Sequence, residues 1–191
     1  MKLYLVRHGQ TDWNIGKQAQ GVADIELNAT GVAQAEALRD RIAAEGLHFD
    51  YVYASPLRRA AKTAQIITNN RADIIYDDRI IERNYGDLEG KIVNWDNLGV
   101  DDLDIRQNTN IYGLEPIQTV LARSKAFLDD FFAHHAGELS SHNPDQPELH
   151  ILIVAHGTLL KTLHYNIVGY DETTDLRGFH LDNCELVEYS I

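Results

Sequence analysis

The sequence is poor in cysteine and contains no long apolar run. Its single cysteine, Cys184, has no partner for an internal disulfide and cannot build a zinc site from cysteines. The longest apolar runs, such as Ile151 to Ala155, are far too short to cross a bilayer. The apolar stretch after Lys2 is too short for a signal peptide, and Arg7 interrupts it. We therefore expect a cytoplasmic protein with no membrane partner.

Basic residues are also scarce, with 17 Lys and Arg against 29 Asp and Glu and a net charge of −12. Nucleic-acid-binding surfaces are usually basic, so we expect no nucleic-acid partner. An anionic small molecule would need a locally positive pocket to offset the long-range field of the chain. The remaining composition, 44% hydrophobic and 24% charged, is ordinary for a soluble globular protein.

The length of 191 residues predicts one domain, residues 1–191, with residues 91–113 as a short inserted cap. Segments with strand character alternate with segments whose apolar residues recur at helical spacing. This alternation predicts a layered α/β fold with a mostly parallel sheet. The predicted strands are Leu3–Val6, Tyr51–Ala54, Asp73–Tyr76 and His150–Ala155, and the predicted helices are 29–44, the segment after Pro56, 116–136 and 158–168.

Capping residues predict where these helices begin and end. Asn28 suits the N-cap of the first helix, and Ser55 and Pro56 suit the N-cap and first position of the second. Gly137 predicts the end of the third helix. Residues 138–148, which are polar and contain two prolines, predict a surface loop.

Cationic side chains follow three of the predicted strands. In an open α/β sheet, ligands bind outside the carboxyl ends of the strands. The helix starts after Ser55 and at Gly157 would add partial positive charge there, while Glu82 is the one carboxylate expected at this edge. We therefore expect a pocket for a dianion, and phosphate fits best. The residues that should converge are Arg7, His8, Arg59 and His156.

The motifs around these residues resemble those of the histidine phosphatase superfamily, the phosphoglycerate mutase-like proteins. The resemblance runs in order along nearly the whole chain. It implies an α/β/α sandwich of three layers. The matching motifs are RHGQTDWN from Arg7, QGVADIELNATGVAQAEAL from Gln20, ASPLRRAAKTA from Ala54, IERNYGDLEG from Ile81 and VAHGTLL from Val154.

The resemblance implies a phosphatase mechanism. His8 would attack phosphorus as a neutral imidazole whose other nitrogen is held by a backbone carbonyl. Glu82 would donate a proton to the leaving alkoxide. The phosphoryl oxygens would be surrounded by Arg7, Arg59 and His156.

The resemblance also implies the contacts to a small phosphomonoester substrate. Tyr85 matches a substrate-contacting position. No metal or other cofactor is expected, because the arginines supply the positive charge. The positions that match phosphate contacts are Asn14, Gln20, Gly21, Gly157 and Thr158.

The same pocket serves phosphatases and mutases, and a fold without chemistry could serve as a phosphate-binding regulatory module. Mutases that depend on bisphosphoglycerate carry a longer middle insertion with a lysine and paired arginines that grip the substrate. Here residues 91–115 contain only Lys91 and Arg106 as basic residues against five acidic ones. A second anionic group would meet repulsion. We therefore predict a phosphatase over a mutase, and the intact motif residues disfavour the regulatory module.

Three further expectations concern residues around the pocket and the end of the chain. Arg58 should point away from the phosphate, because adjacent helical residues diverge by about 100°. Trp13 and Trp95 either line the pocket mouth or pack in the core. Residues 178–191 predict a terminal hairpin, whose strands could pair across a homodimer.

Overall fold

A computed structural model describes residues 1–98, 101–107, 110–140 and 148–191. Five strands alternate with helices along the described chain, as the sequence predicts. The strands are β1 (Lys2–Arg7), β2 (Tyr51–Ala54), β3 (Ile74–Tyr76), β4 (His150–Ala155) and β5 (Leu186–Ser190). The helices are α1 (Asp12–Ile15), α2 (Ala29–Ala44), α3 (Arg58–Ile67), α4 (Ile117–Ser140) and α5 (Gly157–Val168).

The strands form one sheet in the order β3-β2-β4-β1-β5. Pairs β2–β3, β2–β4 and β1–β4 are parallel, and only β5 runs antiparallel, against β1. The mostly parallel sheet is therefore confirmed. Since β1, β2 and β4 are adjacent and parallel, their carboxyl ends lie at one edge.

Helices cover both faces of the sheet. Along β1, Leu3 and Leu5 face the layer of α4 and α5, whereas Tyr4 and Val6 face the layer of α2 and α3. This alternation follows the two-residue period of a strand that is buried on both faces. The three-layer α/β/α sandwich is confirmed.

Two predicted helix ends are wrong. Helix α3 begins at Arg58, its N-cap is Leu57, and Ser55 lies outside the helix with its hydroxyl turned toward the sheet edge. Helix α4 continues past Gly137 to Ser140, since a glycine inside a helix costs only about 1 kcal/mol. Residues 138–140 of the predicted surface loop are therefore helical, and 141–147 lie outside the described residues.

The predicted terminal hairpin is also wrong. Only one strand, β5, forms within 178–191. It pairs with β1, with Leu186 opposite Val6 and Ser190 opposite Lys2. Strand β1 offers an unpaired edge in the same chain, so β5 extends the main sheet and needs no second strand of its own.

The predicted cap contains a short 3₁₀ turn, Trp95–Asn97, and residues 99, 100, 108 and 109 of it lie outside the described residues. Ion pairs connect the cap to the rest of the chain. Asp102 pairs with Arg83 at 2.8 Å, and Asp101 pairs with Arg177 at 2.5 Å. No helix in the part of the chain that the structure describes is both long and apolar enough to cross a membrane.

Candidate active site

Three polar residues directly follow the adjacent parallel strands and meet at the carboxyl edge of the sheet. His8 follows β1, Ser55 follows β2 and His156 follows β4. The rings of His8 and His156 lie 5.2 Å apart between centroids. All three residues are buried, at 3% exposure or less. The sheet therefore brings together the two histidines that the motifs single out.

The His8 ring is held in one tautomer. Its Nδ1 lies 2.7 Å from the carbonyl oxygen of Gly9, which can only accept, so Nδ1 carries the proton and Nε2 the lone pair. The loop is held in turn, because Thr63 Oγ1 accepts from the Gly9 amide at 3.0 Å and Asn183 donates to the His8 carbonyl at 2.8 Å. Burial first, and then Arg59 and Arg7, hold the pKa of His8 well below its usual 6.5.

His156 is bound by protein groups at both ring nitrogens. Arg59 Nε donates to Nδ1 at 3.2 Å, so the proton of the neutral ring is on Nε2, which donates to Ser55 Oγ at 2.8 Å. Burial is the main cause that holds the pKa of His156 well below 6.5, and Arg59 adds to it. In this structure His156 supports Arg59, and its predicted contact with a phosphoryl oxygen stays a prediction.

The fully buried Arg59 is fixed by three acceptors. Besides His156, Nη1 donates to Ala23 O and Nη2 to Gly21 O, both at 2.7 Å. A guanidinium has five N–H donors, so one donor remains on each terminal nitrogen. These two remaining donors, the fork of Arg59, are the ones that a phosphoryl group could use. The neighbouring Arg58 points outward and pairs with Glu26, as the helical geometry predicts.

Arg7 is the last residue of β1 and directly precedes His8. Its Nη1 donates to Leu181 O at 2.8 Å, while its buried Nε has no hydrogen-bond partner among the described residues. A β-carbon on Gly157 would lie 3.7 Å from this Nε and 3.8 Å from Glu82 Oε2. The start of α5 therefore lies between a guanidinium and a carboxylate, and the free Nε is a donor that an anion could use.

The Glu82 carboxylate sits at the N-terminus of α5. Oε1 accepts from the amides of Arg83 at 2.9 Å and Leu159 at 3.1 Å, and Oε2 accepts from Thr158 at 3.2 Å. The start of α5 thus supplies two of the three amides that position this side chain. Glu82 is only 7% exposed, so it is a buried side chain and not a solvated loop carboxylate.

Tyr85 connects this region to the cap. Its hydroxyl lies 2.7 Å from Thr158 Oγ1, and its ring lies 5.1 Å from the ring of Trp95. Burial raises the pKa of Tyr85, so the phenol stays protonated at neutral pH. Trp95 is 37% exposed, whereas Trp13 packs against Gly90. Trp95 is thus the tryptophan that flanks Tyr85.

The other predicted phosphate contacts differ in what they offer. Asn14 Oδ1 accepts from the Thr11 amide and hydroxyl, both at 3.0 Å, so its amide N–H groups are left for a ligand. Gln20 is buried, and its Oε1 has no partner among the described residues. Gly21 contributes a carbonyl to Arg59. Two features explain why residue 21 is a glycine. Its φ of +53° is left-handed, and a β-carbon at this position would collide with the Glu89 carboxylate.

Several supporting residues escape prediction from the sequence. Ser55 was expected to cap a helix and binds His156 instead. The others are Thr63, Arg83, Glu89 and Asn183. All but Asn183 lie in the matched motifs, but the motifs alone do not say what each residue contacts.

Within the described ranges, no group of three or more His, Cys, Asp and Glu side chains is arranged to hold a metal ion. The positive charge at this edge comes from arginines and helix starts.

The model of the histidine phosphatase superfamily, branch 1, matches residues 3–191. The chain belongs to this superfamily. Proteins that are similar to this chain are named as phosphatases or as phosphoglycerate mutases. The superfamily match covers all of the motifs described above, from the strand that precedes His8 to the end of the chain.

Relatives in the superfamily cover nearly the whole chain. An uncharacterized phosphatase PhoE of Bacillus subtilis is 34% identical over 96% of this chain and 88% of its own. A probable phosphoglycerate mutase GpmB of Proteus mirabilis is 30% identical over 97% of this chain and 83% of its own. The solved structure of a mycobacterial glucosyl-3-phosphoglycerate phosphatase in complex with VO3 is 27% identical, with a TM-score of 0.80, over 99% of this chain and 90% of that one.

Acidification is expected to lower the free energy of unfolding through the two site histidines. The pKa of each ring lies well below 6.5 in the folded chain. Near and below about pH 6.5 the unfolded chain therefore binds protons that the folded chain does not, so this stability is lost as pH falls. Urea denaturation between about pH 7.5 and pH 5 should show the decrease.

A matched variant isolates the contribution of His8. In His8→Asn one of the titrating rings is gone, so the loss of stability between the same two pH values should be smaller than in the wild type. An equal loss in both proteins would contradict the depressed pKa of His8.

Proposed function

We propose that the chain is a phosphomonoester hydrolase that acts through a phosphohistidine on His8. One observation carries the proposal: the buried His8 ring has its proton on Nδ1 and a lone pair on Nε2, beside the arginine fork of Arg59. A neutral imidazole in a cationic pocket is suited to attack a phosphoryl group that bears negative charge.

In the first step, His8 Nε2 attacks phosphorus and forms a P–N bond while the P–O bond to the leaving group breaks. The electron pair of that bond goes to the leaving oxygen, which takes a proton from Glu82. Oε1 of Glu82 already accepts two amides and Oε2 only one, so Oε2 has room to carry this proton. Arg59 and the free Nε of Arg7 would stabilise the charge on the phosphoryl oxygens.

In the second step, water attacks phosphorus and gives a proton to Glu82, which restores its protonated form. The P–N bond breaks and its electron pair returns to Nε2, so phosphate leaves and His8 is neutral again. The two steps need no added oxidant, reductant or cofactor. The product of the cycle is inorganic phosphate and an alcohol.

The ion pairs of the cap support a phosphatase over a mutase. Arg83 binds Asp102, and Arg106 binds Asp104 at 2.8 Å. These pairs also revise the reason for the choice: Asp101, Asp102 and Asp104 are each paired with an arginine, so these three acids do not form a free negative field. What disfavours a mutase is that Arg106, the arginine of the cap, is paired with Asp104, and that Arg83 is fully buried. Neither is a free surface cation for a second anionic group.

With 3-phosphoglycerate or p-nitrophenyl phosphate as substrate, we expect release of inorganic phosphate to be the main reaction. Phosphate should be measured by colorimetry, and 2-phosphoglycerate by ³¹P NMR, with and without added bisphosphoglycerate. Isomerisation far faster than phosphate release would favour the mutase. Binding of phosphate without turnover of any phosphomonoester would favour the regulatory module.

We further propose, from the composition, that the protein is cytoplasmic. The homodimer stays a prediction.

The aromatic pair of Tyr85 and Trp95 supports contact with the leaving group, because Tyr85 reaches Thr158, whose amide binds Glu82. The leaving oxygen must lie beside Glu82, so its carbon skeleton would extend toward these rings.

A further inference from the structure

We propose that Glu89 is a positioning residue that sets the guanidinium of Arg59 by holding the loop at residues 20–23 against it. This inference deepens the proposed function and rests on it, because it assigns a purpose to the placement of Arg59. Glu89 lies four residues beyond Tyr85 and does not contact His8, Arg59 or His156 in the hydrogen bonds described above. Its effect would reach the phosphate through the backbone.

The half-buried Glu89 carboxylate binds three backbone amides from two segments. Oε1 accepts from Val22 at 2.9 Å and from Tyr85 at 3.1 Å, and Oε2 accepts from Ala23 at 3.0 Å. A carboxylate that accepts several amides is a strong and directional anchor. It therefore ties the 20–23 loop to the segment that carries Glu82 and Tyr85.

The anchored loop presents its carbonyls to Arg59. Ala23 uses its N–H for Glu89 and its C=O for Arg59 Nη1, at 3.0 Å and 2.7 Å. Gly21, next to Val22, gives its C=O to Arg59 Nη2 at 2.7 Å. One carboxylate thus holds the peptide unit between Gly21 and Val22, whose carbonyl accepts from Nη2, and the amide of Ala23, whose own carbonyl accepts from Nη1.

Gly21 shows how closely the carboxylate approaches the loop. A β-carbon on Gly21 would collide with Glu89 Oε1, and the φ of +53° is itself unfavourable for other residues. The close approach of the Glu89 carboxylate therefore explains the glycine at position 21, in addition to any contact of this residue with phosphate.

Charge also connects the two residues. Arg59 is fully buried, and burial lowers its pKa, while nearby anions, Glu82 first and Glu89 among them, act in the opposite direction. Glu89 therefore contributes both geometry and charge compensation to a guanidinium that has no solvent contact.

The direct test is Glu89→Gln, which keeps the shape and removes the charge and one acceptor. We expect kcat/KM for p-nitrophenyl phosphate to fall about tenfold, because a tenfold change corresponds to the free energy of one charge-assisted hydrogen bond. The affinity for inorganic phosphate, measured by calorimetry, should also weaken. Asp50→Asn is the control, since Asp50 is also a carboxylate that accepts a backbone amide, that of His150 at 2.8 Å, but it lies beside the start of β4, at the end of the sheet opposite to the site.

A double-mutant cycle separates positioning from general destabilisation. In an Arg59→Lys background the fork is already lost, so Glu89→Gln should cost less than about threefold there. Unfolding midpoints in urea show whether each variant is folded under the assay conditions.

The outcomes decide between the two proposals. A folded Glu89→Gln with unchanged kcat/KM and phosphate affinity, or an equal loss in both backgrounds, would overturn the role of Glu89. If the wild type binds inorganic phosphate but hydrolyses no phosphomonoester, the proposed function fails, and the phosphate affinities still decide the role of Glu89. If the wild type neither binds phosphate nor hydrolyses its esters, both proposals fall.

Discussion

Replacement of His8 with alanine is expected to reduce hydrolysis of p-nitrophenyl phosphate by roughly 10⁴-fold or more, because the nucleophile itself is removed. The Nδ1 contact with Gly9 O leaves Nε2 as the attacking nitrogen. The neighbouring His156 does not offer a comparable lone pair, because both of its ring nitrogens are engaged. Initial rates at saturating substrate, together with kcat/KM, measure the loss.

His48→Ala is the control for this experiment. His48 is an exposed histidine that precedes β2, at the end of the sheet opposite to His8. It should leave the rate unchanged. Because His8 is only 3% exposed, His8→Asn serves as a second variant in case the alanine leaves a damaging cavity.

The phosphoenzyme gives an independent reading of the same prediction. Rapid quenching of the wild type during turnover should trap phosphate on the protein in an acid-labile form, and His8→Asn should trap none. Hydrolysis at the wild-type rate by a folded His8 variant would remove His8 as the nucleophile, whatever the fate of the label.

Much of the fold is readable from the sequence because both faces of the sheet are buried. Strands such as Leu3–Val6 and Ile151–Ala155 are apolar throughout, and each ends abruptly in a polar motif. Parallel strands then bring those ends to one edge, so the meeting of His8 and His156 follows from pattern and topology.

The predictions failed where contacts between distant parts of the chain decided the outcome. Ser55 before Pro56 has the chemistry of an N-cap, but its hydroxyl binds His156, which directly follows the adjacent strand β4. Residues 186–190 have the pattern of a hairpin strand, but they pair with β1. Both outcomes depend on contacts between residues more than 100 positions apart, which local periodicity cannot encode.

The cap shows a further limit of reasoning from composition. A segment that is rich in acidic residues suggests repulsion of anions, yet Asp101, Asp102 and Asp104 are each paired with an arginine. Arg177 lowers the pKa of Asp101, and Arg106 lowers the pKa of Asp104. Three of the partners, Arg83, Arg123 and Arg177, lie outside the segment, so counting charges within residues 91–115 misses them.

The second large effect is expected at Arg59. In Arg59→Lys, one ammonium cannot bind Gly21 O, Ala23 O and His156 Nδ1 together and also present two donors to a phosphoryl group. We expect kcat to fall about 10²-fold to 10³-fold, the size of a lost donor to charge that develops in the transition state. Steady-state kinetics at fixed pH give the change.

Arg58→Lys is the matched control, because it changes the adjacent residue on the same helix in the same way. Arg58 is exposed and pairs with Glu26, so the variant should keep its kcat. A comparable loss in both variants would mean that the start of α3, rather than the fork of Arg59, is sensitive to substitution. A wild-type kcat in folded Arg59→Lys would show that charge alone is sufficient at this position, and the matched geometry of the guanidinium would then have no part in catalysis.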